Sequence, residues 1–210
     1  MNQIDSNIPS AATNTAPPVR PHAGRWKLFA IIAICASPVI ASYLSYYVIK
    51  PTGRVNYGDL IQSDLHSIPD LQTTTLDGTP APLAGLEGKW IMLQVDSGDC
   101  TDACRKKLYD MRQLRLTQGR ERDRIERVWL ITDDAPLDTV LMREYDGTRM
   151  LRASAAAVTK WLPTVSGTSA SDHIYLIDPL GRLMMRFPKN CEPGKIKKDL
   201  GRLLAASSIG

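Results

Sequence analysis

The stretch GKWIMLQVDSGDCTDACRKKLYDMRQL, Gly88 to Leu114, decides how this chain reads. Lys89 to Val95 is a continuous apolar strand of the kind buried on both faces of a sheet. A short polar turn follows, and then Thr101 to about Gln118 reads as a helix with Leu108, Met111 and Leu114 on one face. Cys100 and Cys104 fall at its start. Placed at i and i+4 on a helix they share a face with a rise of about 6 Å, so both sulfurs reach a common point. One disulfide or one soft metal ion fits there. The helix start favours a thiolate, and Arg105, Lys106 and Lys107 add positive field. The competing reading is two small apolar residues packed in a core.

Working outward, the elements after this pair alternate. Arg127 to Thr132 is a second strand closed by Asp133-Asp134, and Leu137 to Tyr145 and Ala153 to Leu162 read as helices. Ile174 to Ile177 and Leu183 to Phe187 flank the turn Asp178-Pro179-Leu180-Gly181 and form a hairpin. Gly194 to Ala206 closes as a helix with Ile196, Leu200, Leu203 and Leu204 spaced for burial. Before the stretch, Leu71 to Leu76 with Asp77-Gly78 suggests a short hairpin. Strand, helix, strand, helix, hairpin, helix, with thiols opening the first long helix, is a thioredoxin-like α/β plan: a central mixed sheet flanked by helices.

With 210 residues, 43% hydrophobic and 23% charged, the chain supports one core of ordinary domain size plus appendages. Residues 1–24 carry almost no large apolar side chains and read as a disordered tail. Residues 25–50 read as a transmembrane anchor, because the uncharged run Leu28 to Ile49 spans about 33 Å as a helix at about 1.5 Å per residue. Trp26, Tyr43, Tyr46 and Tyr47 suit the interfaces, and Pro38 is tolerated in such a span. A cleaved signal peptide is the competing reading, but the apolar run outlasts a signal core. Residues 51–67 read as a tether, 68–206 as the domain and 207–210 as a tail. Arg20, Arg25 and Lys27 precede the span while Lys50 and Arg54 follow it, which puts the N-terminus in the cytoplasm and the domain on the periplasmic side of the inner membrane. That compartment permits disulfides.

Three stretches resemble the Sco/SenC family of membrane-anchored, thioredoxin-fold factors that help build the copper centre of cytochrome c oxidase. They are GKWIMLQVDSGDCTDAC, then ITDDAPLDTVLMREY with Asp133, Asp138, Thr139, Leu141 and Tyr145, then YLIDPLGRLMMRF. The likeness runs from about Leu83 to Leu204. It implies a function in oxidase assembly, by Cu(I) delivery or by reduction of thiols at the copper site. Its partners would be oxidase subunits or other assembly factors, reached from a single membrane span.

Soft ligands select Cu(I), so Cys100, Cys104 and His173 form the metal candidate, the histidine by resemblance; the same two cysteines form the redox candidate. The chain departs from the family at Thr101 and Arg105, where the family carries proline. Asp172-His173 also stands about three residues closer to Leu176 than in the family, which in a strand moves a ligand by about 10 Å and reverses its face.

Two alternatives stand beside the family reading: a periplasmic thiol–disulfide oxidoreductase, and a Sco-like scaffold without copper. Relatives that catalyse general disulfide exchange place a proline just before the strand that begins near Ile174, and none lies between Pro163 and Pro179. Asp133, Asp134 and Asp138 read as turn and cap residues. Met184 and Met185 face opposite sides of a strand and read as packing. The basic run Arg105 to Arg127 suits a solvated face or a docking surface better than nucleic acid, which an exported domain rarely meets. Cys35 lies within the span, and Cys191 follows the hairpin as a buried, free or resolving thiol.

Overall fold

A computed structural model of the chain describes residues 23–49, 56–62 and 66–209. The tail before residue 23 and much of the tether, residues 51–55 and 63–65, lie outside the described residues. Contacts divide the chain into two units, Met1–Gly53 and Arg54–Gly210.

In the first unit, helix α1 (Ala23–Leu44) runs into a π-helical turn at Ser45–Ile49. Arg25–Tyr47 is long and apolar enough to cross a membrane, with mean hydropathy 2.1. Its large side chains, among them Leu28, Phe29, Ile32, Ile34, Val39 and Ile40, are exposed around the whole circumference. A helix apolar on every side has no stable place in water. Pro38 removes one backbone donor, and the Ser37 hydroxyl donates to the carbonyl of Ile34 at 2.9 Å.

The second unit holds a six-stranded sheet. Its strands are β1 (Asp59–Leu60), β2 (Trp90–Asp96), β3 (Ile125–Ile131), β4 (Thr148–Arg152), β5 (Ile174–Ile177) and β6 (Leu183–Arg186), in the order β1-β6-β5-β2-β3-β4. β2, β3 and β4 are parallel, while β5 and β6 run antiparallel to their neighbours. The helices are α2 (Asp102–Leu116), α3 (Thr139–Glu144), α4 (Ala155–Trp161) and α5 (Pro193–Ala206). Parallel strands need crossover helices, and those helices cover both faces.

That cover explains the apolar run of β2, broken only by Gln94 between Trp90 and Val95. Trp90 and Met92 point into one core with Cys104, Leu108, Met111 and Leu114 of α2 and Ile196, Leu200 and Leu204 of α5. Ile91, Leu93 and Val95 point into the other, against Val158 and Trp161 of α4. Buried residues of α2 recur at 104, 108, 111 and 114, one stripe at helical spacing.

The expected helices and the hairpin after Ile174 occur within a few residues of their predicted bounds, the hairpin expected at Leu71–Leu76 is reduced to an isolated bridge between Thr74 and Pro80, and two strands appear that were not expected. β4 forms the far edge, where Arg149 and Arg152 interrupt the apolar signal. β1 lies inside the stretch read as a tether. It pairs with β6, and the backbone amides of Tyr57 and Gly58 donate to Asp199 Oδ2 at 2.7 and 3.0 Å. The folded unit therefore begins before Ile68, because β1 pairs with β6 and the amides before it find their acceptor on α5.

Candidate functional site

The two cysteines meet where β2 turns into α2. Their sulfurs are bonded, with the Cα atoms 5.1 Å apart. One step of the helical reading changes: α2 begins at Asp102 with Thr101 as its cap, so Cys100 stands before the helix and takes φ +37°. The i, i+4 geometry therefore does not apply. The observed Cα separation sits in the lower part of the disulfide range, where a pair on one helix would sit near its upper end. Cys104 lies in the first turn of the helix. Both residues are buried, Cys100 at 2% and Cys104 at 0% exposure. A reagent reaches them only when the turn Ser97–Thr101 moves. Asp99 and Thr101 of that turn are already exposed.

The turn is held from a distance. Asp133, just past β3, accepts from the amides of Gly98 at 2.9 Å and Ala135 at 3.2 Å. The Ser97 hydroxyl and these amides keep its carboxyl below the usual carboxylate range. Gly98 is required for space: a Cβ there would stand 2.6 Å from the carbonyl oxygen of Ala135. Asp138 accepts from Val140 N at 2.9 Å and caps α3. Both aspartates thus have the turn and cap roles that the sequence suggested.

The three cations beside the thiols are each answered by a carboxylate. Lys107 meets Asp96 at 2.8 Å, with both side chains less than 15% exposed, and also donates to the carbonyl of Ser171. Lys106 meets Asp110 at 2.6 Å, and Arg105 lies 3.9 Å from Asp138. Each pairing weakens the positive field inferred from the sequence. Lys107 acts instead as a tie between the end of β2, α2 and the turn before β5.

His173 does not join the sulfurs. It precedes β5 in extended backbone, φ −119° and ψ 156°. Alternation then puts it on the face of Tyr175, whose ring lies 6.0 Å away edge-on, whereas Ile174 shares the opposite face with Gln94 and the α2 core. Its Nδ1 lies 2.8 Å from the carbonyl of Phe187 and its Nε2 2.8 Å from the Thr168 hydroxyl. Burial, with Arg186 nearby, lowers its pKa and keeps the ring neutral.

Among the described residues no three His, Cys, Asp or Glu side chains gather to hold a metal ion. A Cu(I) centre built from Cys100, Cys104 and His173 therefore does not fit this arrangement. Among the described residues that leaves the two sulfurs to hold such an ion, and only after reduction.

A residue that the sequence reading passes over touches the pair directly. Gln94, fully buried in β2, donates from Nε2 to Cys104 Sγ at 3.2 Å. The available signal was one amide inside an otherwise apolar run. Of the other two cysteines, Cys35 is exposed on α1 and Cys191 is half-buried, its thiol pKa pushed up by burial and then by Asp110. Met185 is fully buried and Met184 packs partly against the same core, so both are packing residues, but a register shift in the β5–β6 pairing places them against one core where strand alternation put them on opposite sides.

The family model described as transmembrane-like, thioredoxin-like, C-terminal domain matches residues 90–207. No curated protein matches the sequence. Among solved structures the chain is similar to a SCO1/SenC family lipoprotein from Bacillus anthracis, at 19% identity over 69% of this chain and 99% of that one, with a TM-score of 0.50. It is similar to copper-bound yeast Sco1 at 17% identity, over 72% and 90%, with a TM-score of 0.50. It is also similar to a thiol:disulfide interchange protein from Bacteroides sp. at 16% identity, over 68% and 91%, again with a TM-score of 0.50. At these identities the likeness establishes the thioredoxin-like fold. Sco structures are among those it resembles, as the sequence motifs do.

Proposed function

The chain belongs to the transmembrane-like, thioredoxin-like, C-terminal domain family, and on that premise we propose that it is a membrane-anchored, Sco-like thiol–disulfide protein working through Cys100 and Cys104. The observation that carries this reading is the bonded pair at the β2–α2 junction. The partner implied by resemblance is the set of copper-ligand cysteines in cytochrome c oxidase, which must be thiols before metal can enter. The cation bias before the span supports a cytoplasmic N-terminus and a periplasmic domain.

In the working direction the pair starts as a dithiol. The Cys100 thiolate attacks one sulfur of the partner's disulfide, and the other partner sulfur leaves as a thiolate. The Cys104 thiolate then attacks Cys100 Sγ in the mixed disulfide and releases the second partner thiolate. Two electrons pass to the partner, and the observed Cys100–Cys104 bond is the product. A reducing dithiol protein restores the starting state by the reverse steps. Cys100 takes the attacking role because it sits in the turn, while Cys104 is locked under the sheet.

Copper delivery is the less supported half of the family reading, since His173 lies on the other face of the sheet. The test mixes the reduced full-length protein in detergent with a peptide carrying an internal disulfide, and reads both by mass spectrometry. Peptide reduction with stoichiometric closure of Cys100–Cys104, abolished in Cys100→Ser, supports the proposal. A parallel titration with Cu(I) distinguishes the alternatives. One bound ion lost in both Cys100→Ser and His173→Ala would establish the copper carrier instead, and neither exchange nor copper binding would leave a scaffold.

A further inference from the structure

The strand that carries the site holds one polar side chain in its buried interior, and that side chain is only half satisfied. Gln94 is fully buried in β2. Its Nε2 lies 3.2 Å from Cys104 Sγ, and among the described residues its Oε1 has no hydrogen-bond partner. Trp90 and Met92 on the same strand face are apolar and pack against α2. A buried acceptor without a partner costs stability, so an amide here needs a reason beyond packing.

The chemistry of the two redox states supplies one. A disulfide sulfur offers only lone pairs, so the amide meets it with N–H and leaves its oxygen idle. Reduction changes both ends of that account. A Cys104 thiolate is a charged acceptor for Nε2–H, and a hydrogen bond to a charged group is about twice as strong as a neutral one. A thiol, in turn, provides the S–H that Oε1 lacks. The amide therefore favours the dithiol over the disulfide, and because its bond to the thiolate is the stronger of the two, it lowers the pKa of the sulfur that must leave or attack.

We propose that Gln94 is a catalytic residue of the exchange, its amide holding Cys104 Sγ as a stabilised thiolate. This rests on the thiol–disulfide reading above. In the oxidising direction Gln94 sustains the Cys104 thiolate that attacks Cys100 Sγ in the mixed disulfide. In the reducing direction an external dithiol attacks Cys100 Sγ, the Cys100–Cys104 bond breaks, and its electron pair leaves on Cys104 Sγ against the Gln94 amide. The second thiol of that dithiol then displaces Cys100 as a thiolate and takes up the disulfide bond, which balances the two-electron transfer.

The test labels the full-length protein at cysteine Cβ with carbon-13, reduces it in detergent, and follows the titration of Cys104 by NMR in wild type, Q94L and Q94E. The same proteins are equilibrated with the glutathione couple and their Cys100–Cys104 state is read by mass spectrometry. Loss of one charge-assisted hydrogen bond should raise the Cys104 midpoint in Q94L by about one pH unit and shift the equilibrium toward the disulfide about tenfold. Q94E keeps the shape of Gln94 and places a carboxylate against the sulfur, so its midpoint should lie above that of Q94L. Midpoints and equilibria that coincide with wild type overturn the assignment, and for a Q94L that loses its fold the Q94E titration decides alone. Failure of the wild-type pair to exchange with any dithiol would sink the proposed function, yet the midpoint comparison would still decide whether Gln94 governs Cys104.

Discussion

Replacing Gly98 by alanine puts one methyl group between the cysteine turn and the segment after β3. The added Cβ would lie 2.6 Å from the carbonyl oxygen of Ala135, and ordinary contact begins near 3.4 Å, so the two segments must part by about 0.8 Å. They are not free to part. Gly98 N and Ala135 N share Asp133 Oδ1 at 2.9 and 3.2 Å, and Arg152 Nη2 holds the Ala135 carbonyl at 3.0 Å. Overpacking of this kind costs about 1–3 kcal/mol, and a lost charge-assisted hydrogen bond costs about 1.5–3 kcal/mol. The two overlap, since separation relieves one by breaking the other, so we expect about 3 kcal/mol. For a unit of this size that lowers Tm by about 6–12 °C. The control is Gly78→Ala, where φ is +85° with nothing within 4 Å of the added atom; only the left-handed cost of about 1–2 kcal/mol applies. Thermal melts of the full-length protein in one detergent compare the two. A Gly98→Ala protein that melts with wild type, or above Gly78→Ala, refutes the idea that Asp133 clamps the turn.

Two further outcomes follow from the same ties. Asp172 has its pKa lowered to about 2 by Lys189 first and by the Ser169 amide and hydroxyl after it. A depressed carboxylate contributes stability fully above its unfolded value near 4 and loses it as pH falls through about 2. Urea midpoints measured across that window should therefore fall less steeply for Asp172→Asn than for wild type, by a modest amount because Lys189 is 56% exposed and screened; parallel curves would disprove it. Lys107→Met leaves the largely covered Asp96 carboxylate without its cation and should cost about 1–3 kcal/mol in urea unfolding, whereas a loss below about 1 kcal/mol would assign the pair to the exposed class.

What could be read from the residues alone tracks how local its cause is. β2 and α2 were legible because burial on both sheet faces yields a nearly continuous apolar run and burial on one helix face yields the stripe at Leu108, Met111 and Leu114. β4 was not, since an edge strand with Arg149 and Arg152 carries no such signal. β1 takes its pairing from β6, a partner more than a hundred residues away. At the site, the nearness of the two thiols was evident from spacing, but the conformation of Cys100 depends on a turn clamped by Asp133 from beyond β3. The three-residue shift before Leu176 was legible, and strand alternation converts it into the opposite face for His173. Gln94 stood in plain view, yet its meaning required knowing that β2 and α2 bring it against Cys104.

Two bonded sulfurs at 2% and 0% exposure belong either to a working pair or to a structural staple, and one kinetic measurement separates these directly. The folded full-length protein is exposed to dithiothreitol without denaturant, quenched by alkylation at intervals, and Cys100 and Cys104 are read separately by mass spectrometry. The working pair requires reduction to proceed far faster than global unfolding measured on the same sample, with removal of reductant restoring the same bond. Reduction that keeps pace only with unfolding would make the bond a staple and contradict the account.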